Sequence, residues 1–157
     1  MEYNLPSELV KNLDFGDEAK QRVSAGVNKL AQAVKSTLGA SGKCVVYEDG
    51  RGKPVITKDG VTVAESVVLY DPVENMGATL IKEAARNTVR DAGDGTTTAT
   101  VLAEALIKQI DAAIADGLTI REIKDGVNKT LDEVISYLND TATDVEGDML
   151  KSVSAIS

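Results

Sequence analysis

Four stretches of this chain carry apolar residues at spacings of three and four, and that periodicity commits it to a largely helical fold. Over 17–38 the stripe is Ala19, Val23, Val27, Leu30, Val34 and Leu38. Over 72–92 it is Val73, Met76, Leu80, Ile81, Ala84 and Ala85. Over 97–116 it is Leu102, Leu106, Ile107, Ile110 and Ile114, and over 119–139 it is Ile123, Val127, Leu131, Val134 and Leu138. Each stripe predicts an amphipathic helix with one buried face. The end signals agree. Gly39 stops the first stretch, Asp71-Pro72 is a cap followed by a first-turn proline, and Thr119-Ile120-Arg121-Glu122 is a capping box. Met149, Leu150 and Val153 predict a further helix, and a pattern that reaches Ser157 without a cap is expected to continue in a longer chain.

Between the first two helices the pattern changes to short β-prone runs. Residues 44–47 and 54–57 read as strands, with turns at Glu48-Asp49-Gly50-Arg51-Gly52 and Lys58-Asp59-Gly60. Val61-Thr62-Val63-Ala64 reads as the next extended piece of the same small β element. Residues 1–12 are expected to form an N-terminal arm, with extended chain near Leu13-Asp14-Phe15. The first domain is expected over 13–140, and 141–157 as the start of a second.

Composition narrows the function. The chain has no histidine, which removes Ser-His-Asp and Cys-His catalysis and every His-ligated metal site. With 25 acidic against 17 basic residues, net charge −8, the surface disfavours a nucleic-acid partner. No apolar run approaches a membrane span, and the N-terminus lacks signal-peptide features, so a cytoplasmic protein without membrane contact is expected. The single Cys44, within Cys44-Val45-Val46, reads as a small buried thiol.

What chemistry remains concentrates in three turns. Gly93-Asp94-Gly95-Thr96-Thr97-Thr98-Ala99-Thr100 has the make-up of a phosphate cradle. Its glycines admit an anion close to the backbone, its threonines supply hydroxyls, and the N–H groups of a starting helix point the same way. Asp94 suits Mg²⁺ on a nucleotide, which takes few protein carboxylates plus phosphate oxygens. The plainer reading of the octapeptide is a helix start with Asp94 as N-cap. Thr37-Leu38-Gly39-Ala40-Ser41-Gly42 and Thr57-Lys58-Asp59-Gly60 are the other two turns; read plainly, they are a helix C-cap and a solvated hairpin turn. No P-loop pattern is present, and no G-x-G-x-x-G follows a strand.

Taken in order, Val34-Lys35-Ser36-Thr37-Leu38-Gly39, Ile56-Thr57-Lys58-Asp59-Gly60-Val61-Thr62-Val63-Ala64, Glu74-Asn75-Met76-Gly77-Ala78 and Gly93 through Ala103 resemble the N-terminal part of group I chaperonins, from about Leu13 to Ser157. The resemblance implies a mainly α fold: a helical bundle like the chaperonin equatorial domain, with a small β element, over 13–140, and the start of an intermediate domain from 141. It also implies an ATP-dependent folding chaperone working as a homo-oligomeric, usually seven-membered ring with a co-chaperonin. Non-native polypeptides would be held by parts outside this segment. Carried over by position, Thr37, Leu38 and Gly39 match a phosphate loop. Lys58 matches a residue near the phosphates and a monovalent cation such as K⁺. Asp59 matches the acid linked to hydrolysis and Asp94 the Mg²⁺ ligand. Gly95, Thr96, Thr97 and Thr98 match phosphate contacts of ATP, and Ile156 an apolar contact to the base, after a one-residue deletion beyond Asn139.

The chain departs from that pattern in places. Ala40 stands where the family usually has proline, and Ser41-Gly42-Lys43 lacks the family's base before the glycine. The family's second catalytic acid falls after the position of Ser157. The alternative to a full chaperonin subunit is a short chaperonin-derived nucleotide-binding or ring-interaction module without foldase activity.

Overall fold

A computed structural model describes residues 13–39 and 41–156. In chain order the elements are α1 (Gly16–Lys35), β1 (Val45–Glu48), β2 (Pro54–Thr57), α2 (Gly60–Ser66), α3 (Pro72–Ala92), α4 (Thr96–Ala115), α5 (Ile120–Thr141) and α6 (Met149–Ile156). The mainly helical class with a small β element stands as expected. Two compact units divide between Glu83 and Ala84, inside α3.

In the first unit the core is Val27, Leu30, Ala31 and Val34 of α1, Val63 and Ala64 of α2, and Val73, Ala78 and Ile81 of α3. The periodicity of α1 thus selects its buried face. Its exception is Leu38, which is exposed because the helix closes at Lys35 and a turn follows. α3 begins where Asp71-Pro72 directs. Asp71 Oδ1 accepts from the N–H groups of Val73 (2.8 Å) and Glu74 (3.0 Å), and Asp71 Oδ2 accepts from Arg22 Nη2 of α1 (2.7 Å). Its buried stripe runs through Val73, Ala78 and Ile81, while Met76 and Leu80, expected inside, are exposed. The reason is the close crossing of α1 over Gly77, which draws the small-residue side of α3 inward and turns the two longer side chains outward.

β1 and β2 form an antiparallel hairpin with Val46 opposite Ile56. Asp49 Oδ1 closes its loop by accepting from the N–H groups of Arg51 (2.8 Å) and Lys53 (2.9 Å). Two expectations fail here. Cys44 is exposed, because it lies just before the strand and outside the core. Val61-Thr62-Val63-Ala64 is not extended but lies in α2. The three β-branched residues Val61, Thr62 and Val63 carry strand propensity, but an N-cap at Asp59 and burial of Val63 and Ala64 outweigh it.

The second unit holds the end of α3 and α4 to α6. The capping box at the start of α5 is present. Glu122 N–H donates to Thr119 Oγ1 (3.3 Å), and Thr119 N–H donates to Glu122 Oε2 (2.9 Å). The buried side of α4 is not its apolar stripe but Thr96, Thr100 and Glu104. Thr100 Oγ1 bonds Thr96 O (2.9 Å), and Lys108 Nζ pairs with Glu104 Oε1 (2.7 Å), so these polar groups are satisfied within the helix. Leu102 and Leu106 are exposed, and Ile107, Ile110 and Ile114 are half-buried. On α5 Ile123 and Val127 are half-buried, and Leu131, Val134 and Leu138 are exposed. Together α4 and α5 line an open apolar groove of about 680 Å³.

Candidate functional site

The expected site residues fall in both units, and the two sets are described in turn. In the first, the turn after α1 is locally closed. Thr37 Oγ1 donates to Val34 O (2.8 Å), Gly42 N–H to Gly39 O (2.9 Å) and Lys43 N–H to Ser36 O (2.7 Å). Gly39 holds a φ of +70°, which side-chain-bearing residues rarely adopt. Gly42 lies so close to Thr37 O that a Cβ would overlap that carbonyl. Both glycines are therefore required by the turn. Ala40 lies outside the described residues.

The second turn leads into α2. Lys58 and Asp59 are exposed. The Asp59 carboxylate is held from one side: it accepts from Val61 N–H (3.4 Å), Thr62 N–H (2.8 Å) and the Thr62 hydroxyl (2.5 Å). The Thr62 hydroxyl bond, reinforced by the two amide bonds, lowers the Asp59 pKa below the ordinary carboxylate value against a smaller opposing effect of burial. Asp59 is therefore an ionised carboxylate near neutrality, held in place at the start of α2. Thr62 is a residue the sequence reading passed over. Its signal was its place three residues after Asp59, where a hydroxyl reaches back to a capping carboxylate.

In the second unit the turn 93–95 leads into α4. Gly93 and Gly95 both have positive φ, +78° and +92°. Asp94 does not cap the helix, contrary to the plainer reading: Gly95 is the N-cap and no side chain caps it. Asp94 Oδ1 instead accepts from Gly95 N–H (2.6 Å), and its side chain is exposed. The two helix starts thus differ. α2 meets its own carboxylate, whereas the N-terminus of α4 meets a glycine without a side chain. Thr96 is buried, Thr97 half-buried and Thr98 exposed. The start of this 20-residue helix suits an anion, since its first N–H groups and dipole point outward. Among the described residues no three Asp, Glu, His or Cys side chains group to hold a metal by themselves. The exposed Asp94 carboxylate beside this helix start has the chemistry to take Mg²⁺ shared with phosphate oxygens, which needs no protein cage. Ile156 is the last residue of α6.

Known proteins agree with this architecture. A sequence profile described as the TCP-1/cpn60 chaperonin family matches residues 30–157. The chain belongs to the chaperonin family. A crystal structure of a group III chaperonin in the open state superimposes on this chaperonin chain with a TM-score of 0.71 at 32% identity, over 82% of it. The chain spans 25% of that chaperonin's length. These matches assign the family; the solved relative is of group III, so the narrower group I likeness of the motifs has no counterpart in them. The helical, equatorial-like character of the chain agrees with both. No helix of the described residues is long and apolar enough to cross a membrane.

Proposed function

We propose that this chaperonin chain binds Mg-ATP and supports its hydrolysis as part of an ATP-driven protein-folding machine of the group I type. The observation that carries the reading is the start of α4: a Gly-Asp-Gly turn, an N-cap without a side chain, and an exposed carboxylate beside it. In a protein of net charge −8, a phosphate group needs such local donors and a metal to offset the overall repulsion. In this reading Asp94 takes Mg²⁺, and Gly95, Thr96, Thr97 and Thr98 bind phosphate oxygens. Thr37, Leu38, Gly39 and Lys58 contribute further phosphate contacts, Ile156 touches the base, and Asp59 orients the attacking water. Bound Mg²⁺ supplies charge neutralisation of the phosphates. The chain's own residues do the rest: they hold the nucleotide and keep a carboxylate ionised at a fixed place.

The assignment of 13–140 as equatorial and 141–157 as the start of an intermediate domain belongs to the same proposal. So do the seven-membered ring, the co-chaperonin, non-native polypeptides as clients, and the cytoplasm as location. The test is Mg-ATP binding and phosphate release by the intact protein, with native mass spectrometry of its assembly. Saturable ATP binding that depends on Mg²⁺ and is lost in Asp94→Ala is expected. ATP binding unchanged in that variant would overturn the reading.

A further inference from the structure

Lys82 is a buried lysine that no part of the proposed site uses. It lies in α3, 9% exposed, and its ammonium donates to Val67 O (2.5 Å) and Glu65 O (3.4 Å). Those carbonyls lie at the C-terminal end of α2, where Glu65 is in the last turn and Val67 is the C-cap. The last carbonyls of a helix have no partner within it, and a cation there satisfies them and complements the helix dipole. Burying an ammonium is unfavourable unless it is well bonded, so its placement on these carbonyls is a specific one.

We propose that Lys82 is a positioning residue: it clamps the C-terminal end of α2 and thereby fixes the Lys58-Asp59-Gly60 turn at the other end. The inference rests on the hydrolytic reading of Asp59 for its functional consequence, but not for the clamp itself. α2 has only seven residues, too few to hold together as an isolated helix. What fixes it is outside support. Val63 and Ala64 are buried on one face, Asp59 and Thr62 close the N-terminal end, and Lys82 closes the C-terminal end from a 21-residue helix. With under two turns between the ends, fraying at Val67 reaches the amides of Val61 and Thr62 that hold the Asp59 carboxylate. Losing the ammonium therefore disturbs where that carboxylate points, although Lys82 itself touches neither it nor any reacting group.

The experiment compares the intact protein with Lys82→Met, which keeps the stem and removes the donors, and Lys82→Arg, which keeps a cation. Amide exchange is followed in peptides covering 58–68, alongside ATP turnover and affinity. In Lys82→Met, exchange over 60–66 should speed up about tenfold, while peptides of α1 keep their protection. Turnover should fall roughly ten- to hundredfold with KM within about twofold, as for a displaced orienting group. Lys82→Arg should restore most of both. Unchanged exchange over 60–66 in Lys82→Met overturns the clamp, as does loss of protection spread equally over α1 and α3. Faster exchange with undiminished kcat overturns its link to Asp59. If the wild-type protein turns over no ATP, the hydrolytic reading falls, and with it that link; the clamp is then judged on exchange alone.

Discussion

Gly26 of α1 lies against the backbone carbonyl of Glu74 in α3, close enough that a Cβ at Gly26 would overlap that carbonyl. The relationship is reciprocal, since Gly77 of α3 meets Val23 O of α1 in the same way. Backbone cannot yield as a side-chain tip does, so a methyl group at either position forces the two helices apart. Lys29 Nζ and Glu74 Oε2 (2.5 Å) join the helices beside this crossing. Gly26→Ala should destabilise the protein by about 1–3 kcal/mol despite the better helix propensity of alanine. The check is the chemical-denaturation midpoint, and a gain in stability would show that the crossing is looser than described.

Arg22 of α1 and Asp71 at the start of α3 tie the same helices, and they make a pH prediction. The amide of Glu74, then Arg22, hold the Asp71 pKa below its ordinary value, against a smaller effect of burial. A depressed carboxylate contributes stability that is complete above its unfolded pKa, about 4, and that is lost as pH falls through the lower folded value. Asp71→Asn keeps the capping oxygen but not the charge. Thermal midpoints measured from pH 7 down to acid should converge for wild type and Asp71→Asn as Asp71 protonates. A gap that stayed constant with pH would place the effect elsewhere.

Asp59 has two duties in this structure, and substitution can separate them. Alanine removes both the charge and the cap of α2, whereas asparagine caps nearly as well as aspartate. If the carboxylate orients water, Asp59→Asn should lower kcat by about 10²-fold or more with ATP affinity spared, because only the transition state loses the interaction. Single-turnover measurements would settle this. Collapsed affinity with normal turnover of bound ATP would make Asp59 a binding residue.

Asp94 should behave differently. Its side chain does not cap α4 but accepts from the amide of the N-cap residue Gly95, a bond that asparagine can keep and alanine cannot. Asp94→Ala and Asp94→Asn should both abolish most Mg-ATP binding, and Asp94→Asn should do so with the smaller shift in thermal midpoint. Equal ATP turnover in wild type and Asp94→Asn would sink the metal assignment.

The elements most legible in the sequence carry their own end signals. Asp71-Pro72 starts α3 and Thr119 and Glu122 box the start of α5, each through contacts within a few residues, and Pro54 is the first residue of β2. Where distant residues decide, the sequence misleads. Val61 to Ala64 has strand propensity, yet it is helical because Asp59 caps it, the core takes Val63 and Ala64, and Lys82 closes its end. The inward face of α4 departs from its periodicity for a related reason. Periodicity finds the apolar stripe, but it does not say whether anything covers it, and here the buried side is Thr96, Thr100 and Glu104. For the candidate site, residue types and turns were legible. The Thr62 hydroxyl on Asp59 is legible only through its spacing of three residues from a capping carboxylate, because a threonine's residue type names no partner.

That uncovered stripe gives the last prediction. Leu102, Leu106, Leu131 and Val134 line the α4–α5 groove, and the remainder of α5 exposes Ile135, Tyr137 and Leu138. Contiguous apolar surface of this kind drives association unless something covers it. A polypeptide of residues 1–157 alone should therefore self-associate at micromolar concentration and bind an apolar dye such as ANS. It should also show negligible ATP turnover, because phosphate contacts left open to water stabilise developing charge poorly. Replacing Leu106 and Leu131 together by glutamate should cut dye binding and shift the distribution toward monomer, since both side chains are already exposed and the first unit's core is untouched. Light scattering after size exclusion gives the answer. A monodisperse monomer that hydrolyses ATP at an enzyme-like rate would show that the groove needs no cover and that these residues form a complete catalyst.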